Sequence, residues 1–228
     1  MRVGIVGDIH LPFEHPRYLE FCRDTFRQWK VDKVVLIGDV VDHHALSFYE
    51  HDPDGLSASD EASAAVERLE AWKKAFPVAD VTIGNHDERC FRAARRAGIP
   101  TRYLRNYADV FSTPNWKWAF EFRYDGVLYE HGSTTGKYAA INAALGKRTS
   151  LVMGHTHSFA GVLWHTNPTS RIFALQVGCG IDIDAYAFAY GKTYANRPVL
   201  GCGIVLDGTW ATFEVMPCGR REKYYRKR

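Results

Sequence analysis

No run in this sequence approaches the roughly 18 consecutive apolar residues that a membrane-spanning helix needs, so no membrane partner is expected. The amino terminus carries Arg2 but enters a short apolar segment at once. It lacks the longer hydrophobic stretch and cleavage pattern of a secretory signal, and the cytoplasm is the expected compartment. Cysteine is sparse: five residues, Cys22, Cys90, Cys179, Cys202 and Cys218, an odd number with no CxxC pair. That excludes a disulfide framework and a structural zinc knuckle, and leaves burial as reduced thiols as the expectation for each. The Gly-Cys-Gly contexts of Cys179 and Cys202 allow those two to be neighbours. Internal repeats, low-complexity stretches and interdomain linkers are also missing, which points to one domain over residues 1–218.

A strong overall charge is lacking too: 29 Lys and Arg against 26 Asp and Glu give +3 over 228 residues. The balance is uneven. Residues 219–228 hold six Lys or Arg and one Glu, hence +5, and the remaining 218 residues sum to −2. This short basic tail suits either nucleic acid or an acidic partner, or a simple solvated end.

What the sequence does contain is a series of apolar runs that end in polar side chains. Val3-Gly4-Ile5-Val6-Gly7 leads to Asp8 and His10. Val34-Val35-Leu36-Ile37-Gly38 leads to Asp39, and Val81-Thr82-Ile83-Gly84 to Asn85, His86 and Asp87. Val127-Leu128-Tyr129-Glu130 ends at His131, and Leu151-Val152-Met153-Gly154 at His155 and His157. Such runs read as buried strands whose carboxyl ends share one crevice, where sites form in open α/β sheets.

Between them, apolar spacing predicts helices over about 17–30, 60–75, 87–98 and 134–145, with Ser59 or Asp60 capping the second. Strands are expected at 33–37, 78–83, 118–124, 127–131, 149–153, 158–164, 171–177, 198–206 and 210–215. Asp125-Gly126 and Asp207-Gly208 read as hairpin turns. The segment 100–118 reads as irregular and aromatic. The expected fold class is therefore α/β: parallel βαβ units in the first half and mainly antiparallel strands in the second, packed as a two-sheet sandwich flanked by helices.

The candidate ligands are Asp8, His10, Asp39, Asn85, His131, His155 and His157. Carboxylate and amide oxygens mixed with imidazoles suit manganese, zinc or iron better than calcium or magnesium. Seven are too many for one ion with an open position, and about right for two ions sharing a carboxylate.

The ordered blocks Asp8-x-His10, Gly38-Asp39-x-x-Asp42, Gly84-Asn85-His86-Asp87, His131 and Gly154-His155-x-His157 resemble the calcineurin-like metallophosphoesterase superfamily. All five lie in family order across residues 8–157. The resemblance implies that Asp8, His10 and His157 hold a first divalent ion, that Asn85, His131 and His155 hold a second, and that Asp39 bridges them. Manganese is the first choice, with zinc, iron or nickel as alternatives. It implies that His86 meets the substrate phosphate and the leaving oxygen, that Asp87 orients His86, and that Asp42 supports the site from behind. The implied reaction is in-line attack of metal-bound hydroxide on phosphorus.

One departure is informative. Serine/threonine protein phosphatases of this superfamily read Gly-Asp-x-x-Asp-Arg-Gly and Gly-Asn-His-Glu, whereas this chain has His43 after Asp42 and Asp87 after His86. Histidine cannot copy the bidentate fork of arginine on a phosphate dianion. The expectation is therefore a phosphodiesterase, acting on a phosphate ester and conceivably on nucleic acid or nucleotides. A broad phosphomonoesterase or protein phosphatase is the alternative, and a metal-bound scaffold the non-enzymatic one. Arg89 and Lys137 are within plausible reach of phosphate, with solvation at the surface as the expected account of each.

Overall fold

The computed structural model describes residues 1–47, 55–182, 184 and 197–217. The chain opens with β1 (Arg2–Val6), α1 (Tyr18–Gln28) and β2 (Lys33–Leu36), a βαβ unit with its strands parallel. Helix α2 (Ala58–Ala75) leads to β3 (Ala79–Thr82), parallel to β2. Helices α3 (Arg89–Arg96) and α4 (Tyr107–Val110) precede β4 (Trp116–Ala119), which pairs parallel to β3.

The chain then crosses to a second sheet with β5 (Glu121–Tyr124) and β6 (Val127–Glu130), followed by α5 (Ala139–Lys147) and β7 (Ser150–Met153). A hairpin of β8 (Ala160–Asn167) and β9 (Ser170–Val177) completes that sheet, and β10 (Gly201–Leu206) and β11 (Trp210–Val215) return to the first. The two orders are β11-β10-β1-β2-β3-β4 and β5-β6-β7-β9-β8.

Strand periodicity divides the apolar side chains between three clusters. Val3, Ile5, Val35 and Ile37 point inward, against Tyr129, Val152 and Leu175 of the second sheet. Val6, Leu36 and Val81 point outward, under Phe26 of α1 and Leu69 and Trp72 of α2. Leu128, Leu151 and Met153 lie beneath Ala140 and Ala144 of α5. Strands covered on both faces must be apolar almost throughout, which is why β1, β2 and β7 read as continuous runs. Each fully buried side chain of this size stabilises by about 1.5–3 kcal/mol. Among the described residues no helix is long and apolar enough to cross a membrane.

Several expectations need correction. The pairings of the carboxyl-terminal half are mainly antiparallel as expected, but its strands do not form a sheet of their own. Strands β6, β7 and β9 are mutually parallel, and β10 and β11 join β1. The predicted strand 118–124 is two strands on different sheets, parted at the exposed Phe120. Segment 100–118 is more regular than expected, holding a 3₁₀ turn, α4 and the first residues of β4. Helix α2 is capped by Ser57, whose hydroxyl accepts from Asp60 N–H at 3.2 Å. Helix α5 begins five residues late because Gly136 sits at φ 113°. Cys22, Cys179 and Cys202 are buried as expected, but Cys90 is exposed. Cys179 and Cys202 are near neighbours, the carbonyl of Cys179 accepting from Gly201 N–H at 3.2 Å. Cys218 and the basic tail lie outside the described residues.

Candidate metal centre

The exits of β1, β2, β3, β6 and β7 converge at one edge of the sandwich. Strands β1 and β2 sit inside the first sheet, and β6 and β7 inside the second, so their loops face each other across the crevice. The backbone turns sharply there: His10, Asp39, His43 and His155 have φ of 55°, 47°, 49° and 65°. Asp and His tolerate this left-handed region better than β-branched residues, and such strain persists where surrounding contacts enforce it.

Two groups of side chains share Asp39. Asp8, His10, Asp39 and His157 present donor atoms within 4.8 Å of one another, and Asp39, His131 and His155 do the same. In the first group His157 Nε2 lies 2.9 Å from Asp8 Oδ2 and 3.2 Å from His10 Nε2, which is 3.7 Å from Asp39 Oδ2. In the second, His131 Nε2 lies 3.1 Å from Asp39 Oδ2, 3.1 Å from Asn85 Oδ1 and 3.2 Å from His155 Nδ1. Donors bound about 2.0–2.2 Å from one ion sit roughly 3–3.5 Å apart, so these spacings suit a shared cation. Asp8 Oδ1 is buried without a hydrogen-bond partner, a costly state that a cation would relieve.

The backs of the rings are tied down. His10 donates from Nδ1 to Asp42 Oδ1 at 2.7 Å, and His131 from Nδ1 to the Ile37 carbonyl at 2.9 Å. Each bond turns Nε2 toward the crevice, the usual arrangement of a metal-binding imidazole. Three glycines make room for the partners. A Cβ on Gly38 would lie 2.7 Å from His131 Nδ1, one on Gly84 2.1 Å from Asp39 Oδ1, and one on Gly154 2.3 Å from Asp8 Oδ1. Each motif glycine is thus the seat of a ligand from another strand.

The electrostatics favour positive charge. Burial draws His131 down, but Asp39 and Asp8 outweigh it and hold the imidazolium to about 10. Burial raises Asp39, yet His131 and His86 together keep it well below the usual carboxylate range. His10 is pulled down to about 4, by burial first and then by His86, against the opposing pull of Asp42.

His86 lies beside both groups. Its backbone N–H donates to Asp39 Oδ1 at 2.8 Å, and its Nδ1 is 2.9 Å from both Oδ1 and the carbonyl of Asp42. Its Nε2 is 4.0 Å from Asp39 Oδ2. Asp42, rather than Asp87, therefore orients the His86 ring. Asp87 accepts from the backbone N–H groups of Val40, Val41 and Gly84 at 3.0, 3.2 and 2.9 Å, lashing the loop after β2 to the loop after β3. Its carboxyl is pushed up to about 7, by burial first and then by Asp39.

His43 donates from Nδ1 to the His86 carbonyl at 3.1 Å and packs against Phe111, with ring centroids 6.1 Å apart. Phe111 in turn stacks on Trp118, and Trp118 on Tyr107, so the aromatic segment buttresses the loop at residue 43.

Arg89 departs from the expectation of a solvated surface residue. It is 7% exposed rather than solvated, with its guanidinium against the Asp42 and His43 carbonyls and His86 Nε2. Its spacing, three residues after His86 at the start of a helix, was the available signal. Lys137 is exposed as expected, over the Tyr138 ring.

The sequence profile of the calcineurin-like phosphoesterases matches residues 1–187. No curated protein matches the chain in sequence. Among solved structures, a metallophosphoesterase from Sphaerobacter thermophilus is 18% identical, with a TM-score of 0.50 over 95% of this chain and 89% of its own. Yfce, a phosphoesterase from E. coli, is 19% identical, with a TM-score of 0.44 over 90% and 88%. Vps29 from Entamoeba histolytica in complex with zinc is 14% identical, with a TM-score of 0.46 over 93% and 90%. Identities this low bear on the fold alone. The profile match spans most of the sequence, and the chain belongs to the calcineurin-like phosphoesterase family.

Proposed function

We propose that this member of the family is a metal-dependent phosphodiesterase with a dinuclear centre bridged by Asp39. The observation that carries the reading is the sharing of one buried carboxylate by two donor groups. Asp8, His10 and His157 would hold one ion, and Asn85, His131 and His155 the other, with manganese the first candidate. Two divalent ions supply an activated water and neutralise phosphoryl oxygens. The protein's own contribution is placement. Asp42 fixes His10 and His86 through one carboxylate oxygen. His86 turns Nε2 toward the crevice, where it serves the leaving oxygen. Asp87 keeps the two loops in register, and the neutral Asn85 limits negative charge against an anionic substrate.

Preference for diesters rests on His43. Its imidazole is committed to the His86 carbonyl and to Phe111, so residue 43 offers no bidentate fork to a dianion. With manganese in excess at matched pH, bis-nitrophenyl phosphate should be turned over with a higher kcat/KM than nitrophenyl phosphate. A clear preference for the monoester overturns this and leaves a phosphomonoesterase. The basic tail suits a polyanionic diester such as nucleic acid. Truncation after Gly219 should weaken nucleic-acid binding and flatten its salt dependence while sparing small-ester turnover. Unchanged binding returns the tail to a solvated end.

A further inference from the structure

Arg89 is the buried charged group at the crevice that the roles above leave unused. A guanidinium is costly to bury and is retained only where its donors are well placed. Here they divide in two. Nη1 donates to the carbonyls of Asp42 at 3.0 Å and His43 at 3.3 Å, which anchors the side chain. Nη2 donates to Nε2 of His86 at 3.2 Å, the ring atom 4.0 Å from the Asp39 carboxylate, so a substrate oxygen there would replace the ring nitrogen as the acceptor of Nη2.

We infer that Arg89 is a second, permanently charged receptor for the substrate oxygen that reaches His86. The inference rests on the phosphoesterase reading above. Two nitrogens 3.2 Å apart can both lie within hydrogen-bond distance, about 2.7–3.2 Å, of a single oxygen. An oxygen placed on His86 Nε2 from the crevice therefore comes within reach of Arg89 Nη2.

During hydrolysis a water oxygen forms a bond to phosphorus, shedding its proton to solvent, and the ester P–O bond breaks, its electron pair passing to the leaving oxygen. His86 supplies the proton to that oxygen. Arg89 gives no proton and stabilises the charge by a single charge-assisted hydrogen bond. With Nη1 held by two carbonyls the contact is single-pronged, so Arg89 does not recreate the bidentate clamp missing at residue 43. One prong suits the single developing charge of a leaving alkoxide.

The test uses the full chain. Arg89→Gln, loaded with manganese, should still bind both ions but bind inorganic phosphate more weakly, by about tenfold. Its kcat should fall by about 10²-fold on an alkyl diester, the typical effect of losing one such donor, and far less on a nitrophenyl diester. Arg89→Lys, which keeps a charge, should restore part of the phosphate affinity. Because Arg89→Gln also removes two loop contacts, nuclear magnetic resonance on the unmodified zinc-loaded protein provides a reading free of any folding defect. The guanidinium nitrogens of Arg89 should shift on addition of inorganic phosphate.

Unmoved guanidinium resonances, or an equal loss on both leaving groups with unchanged phosphate affinity, reduce Arg89 to a strut for the loop and overturn the inference. An unmodified protein that hydrolyses neither ester overturns the phosphoesterase reading instead, while the phosphate titration still reports on Arg89.

Discussion

The two halves of the candidate metal centre share Asp39 but are prepared differently. In the half built from Asp8, His10 and His157, the buried His10 is backed by a carboxylate, Asp42, yet burial first and then His86 draw its pKa down to about 4. Its Nε2 lone pair is available at neutral pH. In the half built from Asn85, His131 and His155, the Nδ1 of His131 donates to the Ile37 carbonyl, with Asp8 Oδ1 3.9 Å away, and the ring faces Asp39 directly. Its pKa is pushed up to about 10, so a proton lies between imidazole and bridge. Beside it, His155 is lowered, by burial first and then by His131. The first half sets the neutral His10 beside two carboxylates. The second would have to give up a proton to take an ion. Burial and the neighbouring His86 lower one ring against the pull of Asp42, whereas Asp39 and Asp8 raise the other against the pull of burial, and this separates two otherwise similar imidazole sites.

The largest expected effect removes the comparison altogether. Asp39→Asn deletes the carboxylate common to both halves, and manganese stoichiometry should fall well below two per chain. The loss in kcat/KM should exceed the 10–100-fold that an outer partner of a metal ligand typically costs. Retention of two tightly bound ions would show that Asp39 is no bridge. His86→Ala comes next and should leave both halves filled. It should lower kcat on diesters with poor leaving groups by about 10²–10⁴-fold, and much less on nitrophenyl esters. An unchanged rate with an alkyl diester would remove His86 from the chemistry. Asp42→Asn should break the symmetry instead. It disturbs His10 and His86 but touches no group of the second half, so affinity for the first ion should fall about 10–100-fold while the second is spared. Equal weakening of both ions in a calorimetric titration would show that the halves are not independent.

Much of this was legible in the sequence because each ligand follows directly on an apolar run. A buried strand ends where polar side chains begin, and five such ends in one α/β fold share a single edge. What the sequence could not show is which partner each residue meets. Gly38, Gly84 and Gly154 close their apolar runs, and their lack of a side chain makes room for His131, Asp39 and Asp8 from remote strands. Asp87-Glu88-Arg89 reads as the charged first turn of a helix, and only packing against the loop after β2 buries Arg89. The hairpin of β10 and β11 is visible from Asp207-Gly208, but nothing local tells the pair to join β1 rather than the second sheet. The alternation from Trp118 to Tyr124 runs unbroken across a change of sheet, since periodicity records which face is buried and not against what.

The smallest expected effect is a slope, and it tests the contrast between the halves most directly. Binding an ion at His131 requires the free imidazole. Below a pKa of about 10 that form declines tenfold for each unit of pH, so apparent affinity for the second ion should rise about tenfold per unit from pH 6 to 9. It should level only near pH 10. His10 is already neutral above about 4 and adds no such slope over this range to the first ion. Calorimetric titrations with manganese in buffers of different ionisation enthalpy should therefore count one more proton released with the second ion than with the first. If both ions bind with the same pH slope and release the same number of protons, Asp39 does not hold a proton on His131, and the two halves are equivalent despite their different backing.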